Sequence, residues 1–97
     1  MHYDEKELKE ICSRHGISYL ALFGSFARGD FTADSDVDLL VDYSKESPVK
    51  GLLSHIGVAQ EFEGLFNKPV DLIERSILKP RLKSYINKDL KTLYEGQ

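Results

Sequence analysis

The residues of this chain best suited to chemistry are a Gly-Ser pair and three aspartates. Gly24-Ser25 closes the apolar run 18–23. A glycine there lets backbone approach a ligand closely, and a helix starting there offers free N–H groups to phosphate oxygens. The serine hydroxyl adds a donor, although serine also serves as an ordinary helix cap. After ten intervening residues, Asp36-x-Asp38 opens a stretch of alternating polarity. Side chains two apart on a strand share a face, so these carboxylates are neighbours, and neighbouring like charges need a cation. Hard oxygen ligands of this kind suit magnesium, which binds through one or two carboxylates plus substrate phosphates. Viewed alone, such a pair is more often a solvated strand end. Asp71 lies inside the apolar run 70–73. A charge within a buried strand needs a partner or a metal, and a strand-edge aspartate is the alternative. If that strand lies beside the one carrying Asp38, three carboxylates gather. Two metal ions about 3.5–4 Å apart could then clamp a phosphoryl group and activate an attacking oxygen.

The combination is more specific than its parts. Gly24-Ser25, the ten-residue spacing, Asp36-x-Asp38 and a later aspartate together resemble the signature of the DNA polymerase β-like nucleotidyltransferases. Gly24-Ser-Phe-Ala-Arg-Gly-Asp30 followed by Ser35-Asp-Val-Asp-Leu-Leu-Val41 is similar to the minimal nucleotidyltransferase branch, with matching organisation over nearly the whole chain. The resemblance implies that Asp36, Asp38 and Asp71 form the catalytic, metal-binding triad for two magnesium ions. It implies that Gly24 and Ser25 hold the nucleoside triphosphate. Arg28, one turn after Ser25, would reach phosphate oxygens or instead pair with Asp30 or Asp34. ATP as substrate comes from the resemblance, since no adenine-reading residue is visible. So does the biology: an antitoxin that silences an all-helical HEPN ribonuclease toxin by attaching AMP to a tyrosine, in a hetero-oligomer. Two other readings stay open. One is an antitoxin that neutralises its partner by contact alone, through the basic segment 75–91. The other is a small-molecule nucleotidyltransferase.

The elements that must position these residues follow from pattern and caps. A first helix is expected from Asp4 to His15, with Leu8, Ile11 and Cys12 as its apolar stripe and Gly16 as its stop. A buried strand over 18–23 delivers Gly24-Ser25, and a short helical turn and polar loop follow. From Asp36 the period is two, with Val37, Leu39, Val41 and Tyr43 on one face and Asp36, Asp38, Leu40 and Asp42 on the other. Pro48 suits the first turn of a long helix running to Phe66, with Val49, Leu52, Leu53, Ile56, Ala59, Phe62, Leu65 and Phe66 as its apolar positions. A third strand is expected over 69–73. Next comes a basic helix from about Lys79 to Lys88, with Leu82, Tyr85 and Ile86 facing inward. The tail 90–95 reads as a strand or a helical extension. The fold class is α/β (α+β): a small mixed sheet packed with helices, in one domain over 1–97.

Bulk properties exclude several classes. Hydrophobic residues are 41% of the 97 and charged residues 30%, an ordinary globular composition with one modest core. A core that small leaves no acceptor lobe, so a macromolecular acceptor would bring its own surface. The net charge of -3 argues against a long nucleic acid as direct ligand, because phosphate neutralisation needs a basic surface. The exception is 75–91, where six basic residues face one acid, Asp89. The bland reading of that segment is a solvated helix face; the sharper one is a docking face for an acidic partner. The single cysteine, Cys12, allows neither an internal disulfide nor a cysteine zinc cluster, and His2, His15 and His55 lack metal-ligand spacing. No apolar run approaches a signal peptide core or the roughly 20 residues of a membrane span, so a cytoplasmic protein is expected.

Overall fold

The computed structural model describes residues 2–96. Helix α1 (Glu5–Arg14) leads into strand β1 (Ile17–Phe23), helix α2 (Gly24–Arg28) and strand β2 (Val37–Tyr43). Helix α3 (Gly51–Phe66), strand β3 (Val70–Glu74), a 3-10 turn (Arg75–Ile77), helix α4 (Pro80–Asn87) and strand β4 (Lys91–Glu95) complete it. The strands form one mixed sheet in the order β3-β2-β1-β4. β1 is antiparallel to both β2 and β4, whereas β2 and β3 are parallel, joined by the α3 crossover. The expected mixed sheet with packed helices is therefore what the chain forms. Its tail is a strand, and among the described residues no helix is long and apolar enough to cross a membrane.

The local signals act as their chemistry dictates. The Asp4 side chain accepts hydrogen bonds from the Lys6 and Glu7 backbone N–H groups, and His15 ends α1 before Gly16 turns with φ +64°. That glycine is required twice over. A Cβ there would lie 2.7 Å from the Ser47 backbone, and Ser47 is itself buried, its Oγ donating to the His15 carbonyl at 2.5 Å. The other side of the same hydroxyl accepts from Val49 N at 3.1 Å. This clamp holds Pro48 in a loop, so α3 begins at Gly51 and not at Pro48 as the sequence suggests.

One face of the sheet carries the core. Leu20 and Leu22 of β1, with Val37, Leu39 and Val41 of β2, pack against Leu8, Ile11 and Cys12 of α1 and Val58, Phe62 and Phe66 of α3. Cys12 is wholly buried, and that burial pushes its thiol up to about 12. The stripe expected on α3 is only partly right: Leu52 is 72% exposed and Leu53 87%. The helix is apolar on more than one side, and the face that meets the sheet runs through His55, Val58, Phe62 and Phe66, which recur at helical spacing. His55 joins the layers. It donates from Nε2 to the Leu72 carbonyl (2.8 Å) and accepts the Tyr43 hydroxyl at Nδ1 (2.8 Å), since a carbonyl can only accept. α4 departs further from expectation. None of its residues is buried, and Leu82 and Tyr85 are exposed, because the helix stands at the sheet's rim and not over the core.

Candidate functional site

The site forms where β1 ends and β2 and β3 begin. Antiparallel pairing sets Phe23 opposite Asp38, and parallel pairing sets Asp38 opposite Asp71. The Val37 N–H donates to the Pro69 carbonyl at 2.9 Å and locks that register. Gly24 thus lies beside the Asp38 carboxylate. Its φ of +71° is in the left-handed region, and a Cβ at this position would fall directly onto the Asp38 carboxylate. No other residue type leaves that space open.

Asp36 stands one residue before β2, delivered by a polar turn. Within the turn, Thr32 N donates to Ser35 Oγ (2.8 Å) and Ser35 N to the Thr32 carbonyl (3.1 Å). Stacking of Phe31 on Phe26 at 4.4 Å ties the loop to the core. Asp36 and Asp71 are exposed, while Asp38 is half-buried. The expectation that Asp71 sits in a buried strand is corrected: β3 is the edge of the sheet, and only its other face packs, through Leu72. The Asp38 carboxyl is held above its ordinary range, first by burial, then by the charges of Asp71 and Asp36, with Arg28 opposing.

This is a pocket of negative charge short of a counterion. The donors are hard oxygens and suit magnesium. The carboxylates are not drawn into a closed cage, and among the described residues no three His, Cys, Asp or Glu side chains converge enough to hold an ion. The donor chemistry fits a divalent cation, and two of the three aspartates, Asp36 and Asp71, are exposed.

Beside the carboxylates a cleft of about 330 Å³ opens, lined by Phe23, Gly24, Ser25, Arg28, Asp38, Tyr85, Ile86 and Asp89. Gly24 and Ser25 begin α2 at its floor, and α2 ends at Gly29 in the left-handed conformation. Arg28 reaches into this cleft but is paired, with Asp30 at 3.1 Å and Asp89 at 3.7 Å. Of the six sequence-selected residues, Gly24, Ser25, Arg28 and Asp38 line the cleft, and Asp36 and Asp71 flank Asp38 on the sheet's end. Tyr85, Ile86 and Asp89 escaped the sequence reading. Tyr85 and Ile86 look like core residues of an amphipathic helix, while Asp89, the lone acid among 75–91, was a visible oddity. The basic segment itself is no single face. Arg75 pairs with Asp42 and lies over the Tyr19 ring (4.1 Å), Lys88 is 6.0 Å from the Tyr85 ring, and Lys91 belongs to β4.

Comparison with known proteins follows this geometry. Residues 5–93 match the model of the nucleotidyltransferase domain family. The chain is similar to the protein adenylyltransferase MntA of Thermococcus cleftensis, 39% identical over 71 residues, spanning 73% of this chain and 69% of the relative. A solved structure provisionally named a minimal nucleotidyltransferase superposes with a TM-score of 0.74 at 33% identity, covering 90% of this chain and 86% of that one. The complex of a tri-AMPylated HEPN toxin from Shewanella oneidensis with an MNT antitoxin contains a chain matched with a TM-score of 0.68. At 18% identity, over 96% of this chain and 71% of that one, this likeness is one of fold.

Proposed function

The chain belongs to the nucleotidyltransferase domain family, and on that premise we propose that it transfers AMP from ATP to a hydroxyl group of a partner protein. The partner proposed is a HEPN-type toxin, the acceptor a tyrosine, and the chain the antitoxin of the pair. The observation that carries the catalytic part is the seating of the Asp38 carboxylate against Gly24, in register with Asp71. A triphosphate entering on the Gly24-Ser25 backbone thereby arrives beside the carboxylates and not elsewhere on the sheet. The protein side draws support from the similarity to a protein adenylyltransferase, and from a fold shared with a chain of a complex whose toxin is AMPylated.

In this mechanism the Gly24 and Ser25 backbone N–H groups and the Ser25 hydroxyl hold phosphate oxygens. Arg28 exchanges one of its carboxylate partners for phosphate. Asp36, Asp38 and Asp71 would hold magnesium, which supplies charge neutralisation and activation of the attacking oxygen. The acceptor oxygen attacks the α-phosphorus in line, the bond to the bridging oxygen breaks, and pyrophosphate leaves. Asp71, on the edge strand β3, would receive the acceptor's proton on this reading.

The test incubates the chain with magnesium, labelled ATP and the partner protein. Label moves to the partner with wild type and not with the Asp36→Asn, Asp38→Asn double variant. Equal neutralisation of the toxin by both, without label transfer, would show that contact alone is the mechanism.

A further inference from the structure

Gly24 and Ser25 are only part of the cleft's lining. Another part is made by Tyr85 and Ile86 on α4, with Asp89 just beyond the helix. α4 is amphipathic by sequence, yet it buries none of its residues, and Tyr85 is 69% exposed although it lines the same cleft as Ser25 and Arg28. A large aromatic side chain on a helix that contributes nothing to the core is poorly explained by stability. At the end of the helix Asp89 lies 3.7 Å from Arg28 of α2, so α4 and α2 border the same cleft.

A triphosphate seated on Gly24-Ser25, with its α-phosphate near Asp38, must direct its nucleoside away from the carboxylates. The rest of the cleft is bounded by α4. At about 330 Å³ it falls at the small end of the range for small-molecule sites. Every nucleobase presents a π-face, and an exposed aromatic ring is a stacking platform for it. We propose that Tyr85 is the nucleobase platform of this chain, with Ile86 packing beside the nucleoside. The inference rests on the triphosphate reading of the cleft. Stacking reads the π-face and not the base edge, so the platform favours binding without choosing between purines.

The experiment measures affinity of wild type, Tyr85→Ala and Tyr85→Phe for magnesium ATP, magnesium GTP and magnesium tripolyphosphate by calorimetry. Circular dichroism verifies that the exposed position leaves the fold intact. Tyr85→Ala should weaken ATP and GTP alike, by about 5- to 150-fold. Tyr85→Phe should retain wild-type affinity, and tripolyphosphate should bind all three proteins equally. Unchanged ATP affinity in Tyr85→Ala would overturn the inference, as would an equal loss of ATP and tripolyphosphate. Normal ATP binding with lost partner association would assign the helix face to the partner instead. Wild type that binds neither ATP nor tripolyphosphate would overturn the triphosphate reading as well.

Discussion

At the scale of single residues, the site is built on electrostatic conflict. Asp38 is half-buried with two other carboxylates near it, and folding holds its carboxyl above the ordinary range. Folding thus favours the protonated form, so the associated stability is present at low pH and is lost as pH rises through the folded-state pKa. In a metal chelator, Asp38→Asn should melt higher than wild type at neutral pH, and the two should converge at acid pH. Magnesium should raise the wild-type melting temperature and leave the variant unmoved. A variant that melts lower at neutral pH would contradict this account. Gly24 is the second single-residue lever. Gly24→Ala forces a side chain into the left-handed region and onto Asp38, with an expected cost of about 1–3 kcal/mol in denaturant unfolding. Nucleotide transfer should fall on the order of a hundredfold, since misplacement by an ångström at a reacting centre has that effect.

At the scale of elements, α3 does two jobs. It connects β2 to β3 in parallel, which is what brings Asp71 opposite Asp38, and its Val58, Phe62 and Phe66 form one side of the core. Phe62 is fully buried between α3 and the sheet. Phe62→Ala should cost about 3–5 kcal/mol, measured by urea unfolding, from lost transfer energy and the cavity left behind. Elements away from the core behave differently. α4 contributes no buried residue, so its substitutions should register in ligand binding more than in stability.

At the scale of the whole molecule, charge decides what the surface can hold. The chain carries a net charge of -3, and its basic segment is dispersed over the 3-10 turn, α4 and β4, with Arg75 already committed to Asp42 and Tyr19. A duplex or single strand of nucleic acid requires a continuous run of cations against its phosphates. At physiological salt the protein should not retard labelled RNA or DNA in a gel-shift assay. Retardation that weakens steeply with salt would assign the segment a nucleic-acid role.

Some of this was fixed within short stretches of sequence. Asp36 and Asp38 are near each other because only one residue separates them, although Asp36 lies just outside β2, and Gly24-Ser25 is contiguous. The Asp4 cap and the positive φ of Gly16 depend only on neighbours, as does the placing of Val37, Leu39 and Val41 on one face of β2. Each is a local property, and the mixed sheet followed from the order of such elements. Only the tertiary structure decided the rest. Asp71 reaches Asp38 because a 16-residue helix returns the chain to a particular register, and it is exposed because that strand became an edge. Leu52 and Leu53 face outward because a helix apolar on more than one side takes its buried side from packing and not from composition. Tyr85 and Ile86 look like core residues in sequence. Their place on the cleft wall comes from the position of α4 at the rim, a long-range contact that no local pattern encodes.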